Sequence, residues 1–422
     1  MRPAFIALLI VFMGLAFAQA ASAASASEKV IYSFCSLSRC ADGLGPSNLI
    51  AANGVLYGTS VSGGPPLSNR GCCGQVFSLD PATGTEKTIY YFCRKSQCRD
   101  GWRPTSLIYA NGALYGTTMD GGTGFGGSQD GVAFALDPDT GAEQVLYFFC
   151  SKPNCPDGSH ATSIMEAGGK FYGTTQTGGT GDFSPCPSCG TAYALDVNTG
   201  KETVLYSFCT AQNCTDGSNP NPAPLELNGV LYGTTVGGGT IGCGNGQACG
   251  TAYSLDPATG THTVLHSFGA VGDGKYPESS LIAFNGLLYG TTYAGDVAGC
   301  GTFGCGTAYS LDPNTGTETV LHAFCSKQSC ADGASPFAKL LEVNGTLYGT
   351  TDAGGAFNKG TVFALDPNTG AETVIYSFCS QANCTDGANP YSLLYTDGTF
   401  YGTTSNGGAN GHGAIFTLKL KH

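Results

Sequence analysis

Twenty cysteines in 422 residues are the groups whose chemistry has to be accounted for first. Six copies of Cys-x4-Cys recur along the chain, at Cys35/Cys40, Cys93/Cys98, Cys150/Cys155, Cys209/Cys214, Cys325/Cys330 and Cys379/Cys384. Four further pairs stand at Cys72/Cys73, Cys186/Cys189, Cys243/Cys249 and Cys300/Cys305. Such sets bind zinc or exchange electrons in a reducing compartment, and form structural disulfides in an oxidising one. The chain start points to the second. Met1-Arg2-Pro3, the apolar stretch Ala4 to Phe17 and the small-residue sites Ala18-Gln19-Ala20 and Ala21-Ser22-Ala23 read as a secretory signal peptide within residues 1–26. Ten local disulfides are expected. The segment Phe268 to Gly274, equivalent to the six Cys-x4-Cys connections, has lost both cysteines together, as a bonded pair predicts. Closing so short a loop contributes only about 2 kcal/mol, so the expected role is local rigidity. Two pairs keep alternatives: a bond between adjacent Cys72 and Cys73 is strained, leaving another partner open, and Cys186-Pro187-Ser188-Cys189 has the spacing of half a zinc site.

Other reactive side chains form no recognised catalytic pattern. The histidines are His160, His262, His266, His322, His412 and His422, and His266 and His322 merely replace a Tyr found at the same place elsewhere in the chain. There is no nucleophile elbow, no His-Glu-x-x-His and no phosphate loop. A carboxylate pair of the glycosidase kind is set by space, and its absence does not follow from sequence. An Asp-Gly recurs at Asp42, Asp100, Asp157, Asp216, Asp273, Asp332 and Asp386, where an Asx-type turn is the expected role and calcium chelation the rival. Shortly after it come Trp102, Tyr276, Phe337 and Tyr391, aromatics outside the repeated positions. They are the candidate binding residues, suited to stacking on sugar rings or anchoring a protein, with packing between neighbouring units as the alternative. No metal and no cofactor is expected.

The elements that must position these groups come from a repeat. Leu/Phe-Tyr-Gly-Thr occurs with its Tyr at 57, 115, 172, 232, 289, 348 and 401, about every 57 residues. Each unit holds four short runs rich in β-branched and aromatic residues, here called a, b, c and d. In the second unit Asn111-Gly112 turns a into b, as a two-residue hairpin requires, and Asp137 to Gly141 turns c into d. Four antiparallel strands make one propeller blade, and seven units predict an all-β, seven-bladed β-propeller over residues 27–422. The mature chain opens with a d strand, Lys29 to Phe34, and its last strand is a c strand, Gly413 to Leu418. The N-terminal strand is therefore expected to complete the C-terminal blade and leave no open edge. In this topology the d-to-a and b-to-c connections share one face, which carries all the cysteines and the irregular loops such as 65–70 and 122–130, and is the expected binding face.

The succession Asp-Gly-x-x-Pro, Asn-Gly-x-Leu-Tyr-Gly-Thr-Thr-x-x-Gly-Gly and Asp-Pro-x-Thr-Gly resembles the GloVer tandem repeat of bacterial "choice-of-anchor" exported proteins, over residues 28 to 422. The resemblance implies a secreted or surface-displayed repeat protein and brings no catalytic residues with it. Composition narrows the partner. A formal charge of -12 has the wrong sign for nucleic acid or an anionic membrane, and no apolar run beyond the signal approaches a membrane span. The expectation is a secreted or periplasmic monomer, a disulfide-braced binding module for a glycan or protein. The alternatives are a polysaccharide-active hydrolase or lyase with carboxylates in the central depression, and a purely structural surface component.

Overall fold

The structure is a computed structural model and describes residues 26–64, 73–127, 129–181, 189–220, 223–243, 248–295 and 305–421. Seven antiparallel sheets follow one another, each ordered a-b-c-d. The first blade is Leu44–Ala52, Val55–Ser62, Gln75–Asp80 and Thr85–Tyr91. In the seventh, Ala388–Thr396, Thr399–Asn406 and Ala414–Leu420 are completed by the N-terminal strand Ala26–Ser33, which pairs with the last strand from Ala26↔Leu420 to Ser33↔Ala414. The all-β, seven-bladed propeller with a split closing blade is thus the architecture.

Repeated residues explain repeated contacts. The Gly of Tyr-Gly-Thr lies under an aromatic of strand c: a Cβ at Gly58, Gly116, Gly173, Gly233, Gly290, Gly349 or Gly402 would run into Phe77, Phe134, Tyr193, Tyr253, Tyr309, Phe363 or Phe416. That aromatic in turn meets the Phe after strand d of the preceding blade. The seven pairs are Phe34 with Phe77, Phe92 with Phe134, Phe149 with Tyr193, Phe208 with Tyr253, Phe268 with Tyr309, Phe324 with Phe363 and Phe378 with Phe416, all at 4.9–5.1 Å between ring centroids. Edge-to-face pairs of this kind add about 0.5–1.5 kcal/mol beyond their buried area. The core is this closed ring of inter-blade aromatics rather than one central cluster.

A second ring explains Asp-Gly-x-x-Pro. The residue before the Pro position, Gly45, Arg103, His160, Asn219, Tyr276, Ser335 or Asn389, has φ between 55° and 61°. This turns its N–H onto the preceding blade, where it donates to the carbonyl of His412, Cys73, Asp130, Cys189, Cys249, Cys305 or Lys359 at 2.7–3.0 Å. In six copies the following Pro packs on the Gly that opens strand c of that blade, as Pro220 does on Gly190. The Tyr of Leu-Tyr-Gly-Thr is core, buried at Tyr57, Tyr172, Tyr289 and Tyr348.

Candidate functional site

Strand a differs among the blades. Asn53 lies seven residues after Pro46, but Asn228, Asn285 and Asn344 lie eight after Pro220, Pro277 and Pro336. The extra residue breaks the strand: the regular part of a shrinks to Leu225–Leu227, Ile282–Phe284 and Leu341–Val343, against nine residues in the first, second, third and seventh blades. Broken and unbroken a strands alike line the axis of the ring. A cavity of about 450 Å³ opens there, lined by the a segments of all seven blades.

Its wall is lopsided. The first three blades contribute small polar groups, Ser47, Asn48, Thr105, Ser106, Thr162 and Ser163, several already bonded to strand b, as Ser47 is to Thr59 at 2.8 Å. Blades five to seven contribute Glu278, Phe337, Lys339 and Tyr391. Phe337 and Tyr391 meet at 5.0 Å between centroids with a 48° tilt, a half-open aromatic corner. Tyr391 is 37% exposed, its outer surface facing the cavity. Burial among the walls, then the charge of Glu278, pushes its hydroxyl up to about 12. Burial likewise raises the Glu278 carboxyl and lowers the Lys339 ammonium, so each is displaced towards its neutral form. Arg103, Val61 and Met119, next to the b-to-c loops, line the same space, which places the mouth on the disulfide-rich face. Arg103 is held by Asp120 at 2.9 Å.

Of the four aromatics singled out by sequence, the structure brings Phe337 and Tyr391 together and separates the others. Trp102 packs against the buried cluster around Leu107 and Phe134, with Arg103 over its ring at 5.9 Å. Tyr276 is one of the seven left-handed residues of the inter-blade ring. Glu278 and Lys339 were missed. The signal for both was the extra residue between Pro and the Asn-Gly turn, together with departure from Ser or Thr at those positions. In the sixth blade Phe337 and Ala338 replace the usual hydroxyls, and the buried Thr350 Oγ1 is left without a partner.

The repeated Asp is not an Asx turn. Asp42 is fully buried and accepts from the Ser36 and Leu37 amides, from Ser36 Oγ and from Tyr32 Oη, at 2.7–3.1 Å. It thereby ties the Cys35–Cys40 connection to strand d. Burial works to raise its pKa, but these donors outweigh it and hold the carboxyl below the usual range. Most outer strands place a Glu of the next blade beside this cluster. Burial first, and the neighbouring Asp charge with it, pushes Glu28, Glu86, Glu202 and Glu318 up to about 7. At Glu143 and Glu372 a lysine salt bridge, Lys95 at 2.6 Å and Lys327 at 2.8 Å, opposes that rise. In the fourth blade His262 stands in the Glu position, stacked on Tyr206 at 4.2 Å and pushed down to about 4 by burial.

Disulfides join Cys35–Cys40, Cys93–Cys98, Cys150–Cys155, Cys209–Cys214, Cys243–Cys249, Cys325–Cys330 and Cys379–Cys384. Cys73 and Cys305 are disulfide-bonded as well. Cys72, Cys186 and Cys300 lie outside the described residues, as do residues 1–25 with most of the expected signal peptide, and His422. Buried Cys189 sits against the Cys209–Cys214 bridge, and Cys305 against Cys325–Cys330. Sulfurs in disulfides are not thiolates, so most of the cysteine groupings offer no soft metal site. One grouping without sulfur, His266, Asp273 and Glu318, has its donor atoms within 4.8 Å of one another.

Solved structures to which the propeller is similar include the following three. An oligogalacturonate lyase in complex with manganese is 12% identical, with TM-score 0.52, 94% of this chain and 97% of that one covered. The oligogalacturonate lyase of Vibrio parahaemolyticus is 10% identical, with TM-score 0.51, 95% and 98% covered. A putative 6-phosphogluconolactonase from Bacteroides uniformis is 12% identical, with TM-score 0.50, 83% and 89% covered. These likenesses show the fold alone. No curated protein matches in sequence. The Gloeobacter/Verrucomicrobia repeat model matches residues 20–184 and 159–416, together spanning nearly all seven blades. The chain therefore belongs to the Gloeobacter/Verrucomicrobia repeat family.

Proposed function

We propose that this chain is an exported binding module that takes a glycan segment in the central cavity, with Phe337 and Tyr391 as the stacking surface. The observation that carries the reading is the broken symmetry: blades five to seven of a seven-fold scaffold place Glu278, Phe337, Lys339 and Tyr391 together on one side of the cavity, while the second blade adds Arg103 and Met119 and the remaining wall is mostly small polar groups. An aromatic corner with a few polar groups in a space of a few hundred cubic ångströms suits sugar rings, which present an apolar face and a hydroxyl edge. The disulfide load supports an extracytoplasmic setting. The test is binding of purified protein to a panel of neutral, uronic-acid and amino-sugar oligosaccharides, with Tyr391→Ala beside it. Loss of such an anchor is expected to weaken binding by about 2 kcal/mol, roughly thirtyfold. Binding by the Ala variant equal to wild type overturns the assignment.

A lyase is the second reading. Hydrolysis by the common two-carboxylate route lacks its second acid, because Glu278 is the only carboxylate among the described lining residues. Elimination needs instead a base and an acid on a uronate, and Lys339, lowered by burial, and Tyr391 are residues of those types on one wall. Two of the similar structures are oligogalacturonate lyases, at an identity that supports no transfer of residues. Unsaturated product from a uronic-acid oligosaccharide, lost in Lys339→Ala, would favour this reading over binding alone.

A further inference from the structure

The connection from the fourth to the fifth blade is the one that lacks a cysteine pair, running Phe268-Gly269-Ala270-Val271-Gly272-Asp273-Gly274. It also departs from its counterparts in the groups around the buried Asp. His266 replaces the strand-d Tyr, and Ala270, two residues after Phe268, stands where Ser36, Ser151, Thr210 or Ser380 gives a hydroxyl. At Asp157, for comparison, Oδ2 takes Tyr147 Oη at 2.7 Å, Ser151 N at 2.8 Å and Ser151 Oγ at 2.6 Å. At Asp273 both hydroxyl donors are gone: Oδ2 accepts from Gly269 N at 3.0 Å and faces His266 Nε2 at 3.0 Å. Glu318, from the outer strand of the next blade, completes the group; its buried Oε1 has no hydrogen-bond partner, as is also so at Glu28, Glu143, Glu202 and Glu372, so what sets this blade apart is the His beside it and the missing hydroxyls. A similar His, Asp and Glu set at His322, Asp332 and Glu372 has its charge met by Lys327, 2.8 Å from Glu372. No lysine contact is found at Glu318 among the described residues.

We propose that His266, Asp273 and Glu318 form a site for one divalent transition-metal ion of the zinc type, at the outer rim between the fourth and fifth blades. One imidazole nitrogen and two carboxylates are a borderline-to-hard donor set, which suits zinc and its neighbours better than calcium, whose ligands are oxygens in larger number. Donor atoms within 4.8 Å of each other need only small side-chain shifts to reach bonds of about 2.0–2.2 Å around one centre. Three protein ligands leave a fourth position for water. The ion cross-links two blades at the connection that has no disulfide, and His266, 21% exposed, gives it access from solvent.

The experiment uses the full mature chain without an affinity tag, stripped with chelator, then titrated calorimetrically with zinc chloride and, in parallel, manganese and calcium chlorides. One equivalent of zinc should bind, with a rise in Tm, because an ion held only by the folded state stabilises it. His266→Tyr restores the residue that other blades carry, so it should fold with a metal-free Tm near wild type while losing that equivalent. Glu318→Gln should weaken binding by at least about tenfold, the lower end for disturbing even an outer-shell partner. His322→Tyr should leave binding unchanged. Zinc binding equal in wild type and His266→Tyr, absence of zinc binding, or calcium bound more tightly than zinc would each overturn the proposal. The first two outcomes leave the cluster as a simple His and carboxylate ion pair.

Discussion

Ring closure can be tested at one side chain. Phe34 follows the N-terminal strand, is fully buried, and packs in a cluster with Leu49, Leu56, Phe77, Leu79 and Ile415. It touches Tyr32 and Phe77 edge-on, at 5.1 Å in both cases. Chemically it is the equal of Phe208, which occupies the same place in an uninterrupted blade, also fully buried and 5.1 Å from Tyr253. Phe→Ala at such sites removes the transfer free energy of the ring and leaves a cavity, costing about 3–5 kcal/mol. Against a total stability of about 5–15 kcal/mol, that raises the unfolded fraction by roughly two to almost four orders of magnitude. If the split blade closes the ring, Phe34→Ala and Phe208→Ala should be destabilised alike in urea titrations with disulfides intact, although Phe34 lies near a chain terminus. A terminal strand that frays would make its substitution nearly silent. A cost for Phe34→Ala below about 1 kcal/mol, beside a full loss for Phe208→Ala, would therefore refute the closure.

Three further outcomes follow from the same contacts. Glu202 has a pKa raised to about 7 when folded, so the folded state holds the proton more tightly than the unfolded chain. Its stabilising contribution is present below the unfolded value and is lost as pH rises through about 7. Glu202→Gln, which cannot ionise, should gain about 1–2 kcal/mol on wild type between pH 5 and 8 after allowance for rim solvation, and a constant difference across that range would sink the idea. Gly190→Ala forces a Cβ onto Thr175 O and Pro220 Cδ, whereas Gly229→Ala meets nothing within 4 Å, both at positive φ. The first should cost about 1–3 kcal/mol more by chemical denaturation, since only overpacking separates the two. Trp102→Ala should lower Tm by several degrees with glycan affinity per folded molecule intact, while Tyr391→Ala shows the reverse. The opposite pattern would return Trp102 to the binding surface.

The seven units, the strand order and the cysteine-bearing face were legible in the chain because each is written locally, and the split blade because a d strand opens the repeat and a c strand closes it, although the pairing itself joins Ala26 to Leu420. A repeat period is counted along sequence, a hairpin is written in Asn-Gly, and a Cys-x4-Cys loop closes on itself. The glycine of Tyr-Gly-Thr and the proline of Asp-Gly-x-x-Pro were visible as repeated residues, but their partners sit on another strand or another blade, so only the assembled ring shows why they recur. The repeated Asp was read as a local turn because its neighbour in sequence is Gly. Its hydrogen bonds run instead to residues five to ten positions back, on the opposite side of a loop. The cavity was least legible of all. A wall shared by seven blades is spaced some 57 residues apart in the chain, and its residues come from broken and unbroken a strands alike, as Phe337 and Tyr391 do. Whether Glu278, Lys339 and Tyr391 meet, and whether His266 meets Glu318 across a blade boundary, depends on how the ring closes, which no segment of sequence contains by itself.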